Sequence, residues 1–519
     1  MPLKNSQKQY DLWLPFVVAL AAAIGLLAGY NMNFSNAGSS MLSLSEKGSQ
    51  QDGRIEEILR FIETNYVDSL DQEQITVDAI QHILKQLDPH SNYITPEELN
   101  DHNEKMEGEY KGVGIETIKL RDTFYLTKII KDSPADNADL QVGDAIIEIE
   151  GQLLSGNKSE FGDMRQYFNG DKNKQTIDLK CLSIDGSERI IEGLKPDKIQ
   201  LASANQAYLI DDDIAYIKLE RFSSNTYKQF MSSLEEMAAD KAKLNLIIDL
   251  RSNPGGYLPQ AINILSQLFK EKGNLLTFTE GLNRKKSDYR STGKTFYDIN
   301  KIVVLINKYS ASGSEILAGA IQDWDRGIVL GEATYGKGLV QEILPLTNGG
   351  ALRLTVAKYY TPSGRLIQKS YGSNNNNFDA DTTSYLTKLL NRKVSGGGGV
   401  KPDYELKDPF TETCIQYSEY LDFYIMDVMK AQLSNQLKPS DFSVRAYNQF
   451  IKSNYGGEIE KLEEACEMNM LFYMDARYKR MVEGELAYKK YVNAEDNYIR
   501  KALDLITDKK STIALLSNN

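Results

Sequence analysis

The chain has 519 residues, 41% hydrophobic and 25% charged, an ordinary globular balance at a length that calls for several folded units. A formal net charge of -12 argues against nucleic acid as a partner, because a phosphate backbone is bound by basic surface. Histidine is scarce: His82, His90 and His102 all lie in the first fifth of the chain, so a Ser-His-Asp or Cys-His mechanism has few candidates and a lysine base is the simpler assumption. Cys181, Cys414 and Cys466 offer neither a metal-site spacing nor a disulfide framework, and read as buried small hydrophobes.

In chain order, Leu12 to Tyr30 is uncharged over about 19 residues, long enough to span a hydrocarbon core as a helix. Lys4 and Lys8 precede it and keep the N-terminus in the cytoplasm, so the stretch reads as an uncleaved signal-anchor in the inner membrane, with a removed signal peptide as the alternative that Ser35, Ala37 and Ser39 leave open, and the body exported either way. From Ile55 to about Lys105 the pattern is helical, with Ile55, Ile58, Leu59 and Ile62 on one face and Ile75, Ala79, Ile80, Ile83, Leu84 and Leu87 on another. Asp88-Pro89-His90-Ser91 ends the second helix, and His90 reads as a turn histidine. Tyr110 to about Pro196 then changes to short strands: Thr123 to Ile130, Ala145 to Ile149 and Thr176 to Leu182. Here Gly112-Val113-Gly114-Ile115 opens a strand. Such glycines leave successive N–H groups free to converge on an anion, the chemistry that captures a peptide's terminal carboxylate while the peptide adds to a sheet edge. Alone, the motif reads equally as a tight turn; with the run Ser133 to Gly151 it resembles a PDZ domain of the bacterial, protease-associated kind. Ser155 and Lys158 match Ser-x-x-Lys by chance, in a loop.

Beyond Lys195, Ile214 to Leu219 reads as a strand, Tyr227 to Lys241 as a helix, and Leu244 to Leu250 as a buried strand of a parallel or mixed sheet. Gly255 and Gly256 follow that strand and precede a helix from Pro259 to Phe269, so a carbonyl oxygen can approach the backbone closely. A β-branched run from Ile302 to Ile306 stops at Asn307, and a Ser/Gly cluster opens a helix ending near Asp323; a short strand from Ile328 to Leu330 precedes Gly336-Lys337-Gly338. Asn374 to Asn377 reads as a polar loop, and Gly396 to Gly399 as a return to the core. From Thr411 the chain is helical, with Tyr417, Tyr420, Phe423 and Tyr424 on one packed face.

Three serines compete for a nucleophile's place. Ser312, between Ala311 and Gly313, sits best at the turn into the helix, whereas Ser310 is nearer the strand and Ser314 falls inside the first turn, where it or Glu315 caps. Lys337 serves as base if buried, and Gln341, four residues on, supplies an orienting amide without a charge. Gly331 to Lys337 also matches a phosphate loop, but Gly338 replaces the magnesium-binding Ser/Thr and a strand follows where a helix is needed.

Asp249 to Gly256, Asn307 to Glu315 and Gly331 to Gln341 together resemble the C-terminal processing peptidases, or tail-specific proteases. Leu87 to Ser91, the PDZ-like region and Tyr360 to Arg365 extend the match over about Ile55 to Asp403. In that family the middle serine of the turn is the nucleophile and a lysine 25 residues later is the base, the interval between Ser312 and Lys337. The resemblance implies Gln341 as the orienting residue, backbone oxyanion donors at Gly255 or Gly256 and Gly313, and a tail-binding loop at Gly112, Val113, Gly114 and Ile115. Gly313 departs from the usual alanine.

The implied fold is an α/β protease core of crotonase or ClpP type with an inserted PDZ domain. The expected layout is an anchored tail over 1–50, a helical region over 51–105, the PDZ domain over 106–195, the protease core over 196–409 and a helical extension over 410–519. The expected function is a periplasm-facing Ser-Lys endopeptidase acting on protein tails without metal or cofactor. An inactive PDZ scaffold is the alternative, a crotonase-like acyl-transfer enzyme a more distant one, and a homo-oligomer is left open.

Overall fold

A computed structural model describes residues 53–508, apart from 155–167, 169–174, 202, 205, 240, 348, 371–382, 408–419, 433–440 and 456–463. The expected anchor helix, the Ser155/Lys158 pair, the 374–377 loop, Cys414 and Tyr417 lie outside the described residues. Among the described residues no helix is long and apolar enough to cross a membrane.

The chain divides into a unit over Met1–Ile80 and a larger one over Gln81–Asn519. In the first, the expected helix forms over Arg54–Asn65, with Ile55 and Ile58 exposed and none of its residues buried. The next helix, Gln72–Leu84, stops short of Asp88, and the region expected to be helical on either side of the Asp88–Ser91 turn contains a strand, Asn92–Ile94, before the helix Pro96–Glu107.

The centre of the larger unit is a six-stranded sheet in the order Gln206–Asp211, Ile214–Lys218, Leu244–Asp249, Ile299–Ile306, Ile328–Gly331, Tyr404–Glu405. Only the first pair is antiparallel. All six residues of Leu244–Asp249 are buried, because both sheet faces are covered. Leu246, Ile248, Val304 and Ile306 meet the helices Thr226–Ala238, Leu258–Leu268 and Gly313–Asp323; the alternating residues Ile247, Val303 and Leu305 meet Tyr498, Ile499, Ala502 and Ile506 of the helix Asn497–Thr507. Helix Asn497–Thr507 is thus part of the central core. Register aligns Lys218 with Asp249, Asp249 with Leu305 and Ile306 with Gly331, so the loops after these strands leave from one edge, where parallel sheets place their sites.

A second sheet joins Asn92–Ile94, Ala351–Tyr360, Leu275–Gly281 and Arg284–Arg290, with Leu339–Pro345 paired to Ala351–Tyr360. A third sheet runs Ile115–Leu120, Thr123–Ile129, Ala145–Ile149, Ile177–Leu182, Glu188–Leu194, with Gln152–Leu153 paired to Ala145–Ile149, around its own core of Phe124, Leu126, Ile146 and Leu179. The antiparallel pair Glu109–Gly112 and Asp197–Gln200 carries the chain into and out of this insert.

Helices Leu421–Gln432, Val444–Tyr455 and Glu464–Glu483 pack against the insert, burying Tyr424, Ile425, Met429, Tyr447 and Met474 with Leu120 and Tyr125. Tyr420 and Phe423 join that face, as their spacing predicts. Cys181 is free and buried, as expected, whereas Cys466 departs from expectation in being disulfide-bonded. Pairing follows proximity in space, and isolated cysteines in sequence do not report it.

Candidate active site

At the end of strand Ile299–Ile306, Asn307 Oδ1 accepts the N–H of Ser252 at 2.8 Å and of Tyr309 at 3.1 Å, knitting two loops together. The chain then turns through the three serines into helix Gly313–Asp323. Ser310 donates its hydroxyl to Leu250 O at 2.8 Å and Ser314 donates to Asn253 O at 3.0 Å, and both are fully buried. Their hydroxyls hold the fold. Ser312 is half-buried, with φ +55° and ψ -112°, a backbone state that costs an L-residue on the order of 1–3 kcal/mol and persists only where its surroundings enforce it. It immediately precedes the helix, so the Gly313 N–H is a first-turn donor without an intrahelical acceptor.

Glu315 supplies the enforcement, and sequence reasoning gave it only a capping role. Its fully buried carboxylate takes four donors, two per oxygen. Oε2 accepts the N–H of Ser312 and of Lys337, each at 2.8 Å; Oε1 accepts the Thr334 hydroxyl at 2.6 Å and the Gly336 N–H at 2.8 Å. One carboxylate therefore fixes the serine turn and the lysine backbone together. Burial pushes its pKa up, and the hydrogen bonds from Thr334, Lys337, Ser312 and Gly336 oppose that. The Ser-x-x-Glu spacing was the available signal; nothing in sequence linked it to Thr334 or Gly336.

Lys337 lies just before strand Leu339–Pro345. Its Nζ donates to Gln341 Oε1 at 2.8 Å, and the Tyr359 hydroxyl holds its carbonyl. Burial, then the Arg353 guanidinium, hold its pKa below the ordinary lysine value, against opposing pulls from Glu315 and Asp88. Gln341 Nε2 in turn donates to His90 O at 2.7 Å, which fixes which end of the amide faces Lys337. His90 belongs to a turn locked by Asp88, whose Oδ1 accepts the N–H of His90 at 2.8 Å and of Ser91 at 2.9 Å, and whose Oδ2 accepts the Ser91 hydroxyl at 2.7 Å. The His90 imidazole is held down at about 4, first by burial and then by Lys337, which leaves a feeble base. His102, by contrast, faces the site; its Nδ1 lies 3.3 Å from an Arg353 nitrogen.

Of the two glycines after strand Leu244–Asp249, Gly255 has its N–H engaged by Asn253 Oδ1 at 2.8 Å. That narrows the oxyanion expectation to Gly256 and Gly313. The bridge between Phe222 and Gly256 uses Gly255 O and the Tyr257 N–H, leaving the Gly256 N–H out of it. Gly255, at φ +95°, is needed for closeness: a Cβ there would stand 2.7 Å from Ser312 Cβ and 2.8 Å from Ala311 O. Arg251 anchors the start of this loop, its Nη2 2.7 Å from Asp249 Oδ2 and its Nη1 2.8 Å from Asp496 Oδ2.

Ser312, Gly313, Gly255, Gly256, Lys337 and Gln341 all line one cavity of about 610 Å³. Among the described residues no hydrogen bond joins Ser312 Oγ to Lys337 Nζ; the amine bonds Gln341. Such bonds are commonly loose without substrate. Gly112, Val113, Gly114 and Ile115 are elsewhere, at the start of the insert's strand Ile115–Leu120, with Gly114 at φ +85° and a separate cavity of about 550 Å³ beside them.

Residues 213–375 match the family model for peptidase family S41. The chain is 35% identical over 327 residues to the carboxy-terminal-processing protease of Bartonella bacilliformis, covering 62% of this chain and 73% of that protein. It is 26% identical over 467 residues to the carboxy-terminal processing protease CtpB of Bacillus subtilis, covering 88% and 89%. Among solved structures it is similar to the photosystem II D1 C-terminal processing protease, at 23% identity and a TM-score of 0.36, over 68% of this chain and 86% of that one. That superposition is too loose to bear on the site.

Proposed function

Since the chain belongs to peptidase family S41, with the carboxy-terminal-processing proteases, we propose that it is a Ser-Lys endopeptidase that grips protein tails in a PDZ domain and cleaves near them. The observation that carries this is the setting of Ser312: it holds a strained turn at a helix N-terminus, facing a cavity that is also lined by Lys337, a half-buried lysine bound to a neutral amide. Ser312 Oγ attacks the scissile carbonyl carbon, and its proton passes to neutral Lys337 Nζ as the C–O bond forms. The oxyanion takes N–H donors from Gly256 and Gly313. The C–N bond then breaks, and the departing amine takes the proton from Lys337. Water attacks the acyl ester, gives its proton to Lys337 and releases the acid, with Ser312 restored. Gln341 keeps Lys337 aimed without a countercharge that would hold it protonated.

The substrate reading rests on the insert. Its strand edge, unpaired among the described residues, and the glycine turn before it suit an extended peptide ending in a free carboxylate. The apolar N-terminal stretch and the disulfide-bonded Cys466 favour a membrane-anchored body in an oxidising compartment, the periplasm. Cleavage of an unstructured reporter with and without a C-terminal apolar tail tests the reading: wild type degrades the tailed reporter faster and Ser312→Ala degrades neither. Equal turnover by Ser312→Ala would end it.

A further inference from the structure

Among the described residues the insert's strand Ile115–Leu120 is an edge, hydrogen-bonded on one side only, to Thr123–Ile129. The cavity of about 550 Å³ beside it is lined by the glycine loop and also by two residues more than 300 positions downstream, Asp422 and Arg480. They come from helices Leu421–Gln432 and Glu464–Glu483 of the C-terminal extension, which is fastened to the insert by the shared apolar core and by ion pairs between Arg121 and Asp427 at 3.1 Å and Lys128 and Glu485 at 3.4 Å. The extension is therefore a fixed wall of this groove.

Arg480 is held there unsaturated. Its side chain is 20% exposed, its Nη2 lies 3.7 Å from Glu116 Oε2 and its buried Nε 3.6 Å from Glu485 Oε1, both beyond hydrogen-bond distance, so among the described residues its Nη groups keep unused donors. A guanidinium with spare donors on a cavity wall is matched by a carboxylate, which it can grip with two parallel bonds. Other charges on the lining are Asp101, Glu104, Glu116 and Asp422 against Lys105, so negative charge placed away from Arg480 meets mostly acid. Direction follows from the strand: a tail whose terminus sits at Gly114 and Ile115, where the strand begins, runs antiparallel along it and has its penultimate residue beside Glu116, the residue Arg480 approaches.

We propose that Arg480 of the C-terminal extension is a specificity-determining residue of the tail-binding groove, taking a carboxylate of the bound tail, either the terminal one or that of an acidic penultimate side chain. This rests on the reading of the insert as the tail-binding domain. The test uses the full chain carrying Ser312→Ala and fluorescent peptides with an apolar last residue in four forms, free acid or amide, with Glu or Gln at the penultimate position. Adding Arg480→Gln should weaken only the forms that carry the recognised carboxylate, by about tenfold, so that either the free-acid or the Glu preference collapses. Arg480→Lys keeps the charge and the ties to Glu116 and Glu485 but not the fork; it should give an intermediate loss, and it carries the test if the Gln variant does not fold. Unchanged affinity for all four peptides, or an equal loss on all four, overturns the inference while leaving the groove in place. If the Arg480-bearing protein binds none of the four, the groove reading itself fails, and the inference with it.

Discussion

Glu315 offers a perturbation whose size follows from counted bonds. Replacing it by alanine strands four donors, the N–H groups of Ser312, Gly336 and Lys337 and the Thr334 hydroxyl, in a site where the carboxylate is fully buried. At about 1–3 kcal/mol for each orphaned buried donor, the loss is roughly 4 kcal/mol or more, against a typical domain stability of about 5–15 kcal/mol. Glu315→Gln is milder. Its amide nitrogen settles toward Thr334, whose hydroxyl can turn to accept, and its oxygen keeps the Ser312 and Lys337 N–H groups, so chiefly Gly336 is orphaned. That predicts a loss of about 2 kcal/mol and a Tm lowered by about 4–8 °C, with kcat reduced less than about tenfold. Thermal unfolding by circular dichroism and cleavage of a tailed reporter read both effects. A Glu315→Ala protein that melts and cleaves like wild type would refute the claim that this carboxylate holds nucleophile and base in register.

Arg353 disfavours the ammonium of Lys337, so Arg353→Met raises the lysine's pKa, leaves less neutral amine at pH 7 and moves the ascending limb of kcat/KM to higher pH; an unmoved limb contradicts this. His102→Ala keeps that limb and loses less than about tenfold in kcat, whereas disappearance of the limb would transfer the base to His102. Gly255→Ala presses a methyl against Ser312 and lowers kcat by about 100-fold or more, as a small misplacement of the nucleophile should. Gly484→Ala, at φ +90° with nothing within 4 Å of the added carbon, carries the backbone strain alone and keeps its rate.

The central strands were legible because two-sided burial writes contiguous apolar runs, as in Leu244–Asp249 and Ile302 to Ile306. Strand Arg284–Arg290 was not, because six of its seven residues are exposed and its sequence, RKKSDYR, has no apolar alternation. That Ser312, Lys337 and Gln341 come together at one cavity was readable from turn position and spacing. The residues that aim them were not, since Glu315 reaches 21 and 22 positions along the chain to Gly336 and Lys337, and Gln341 reaches back 251 positions to the carbonyl of His90. Such contacts are set by the convergence of strand ends, which local pattern does not encode. The disulfide at Cys466 and the placement of helix Asn497–Thr507 on the central sheet escaped for the same reason.

The central claim is that Ser312 and Lys337 act as one catalytic unit. The direct measurement is kcat/KM on a tailed reporter for Ser312→Ala, Lys337→Ala and the double variant. Members of one unit are not additive, so each single change should remove about 10³-fold or more and the double change should remove no more than either. Turnover by either single variant within about tenfold of wild type, or losses that multiply in the double variant, would contradict it.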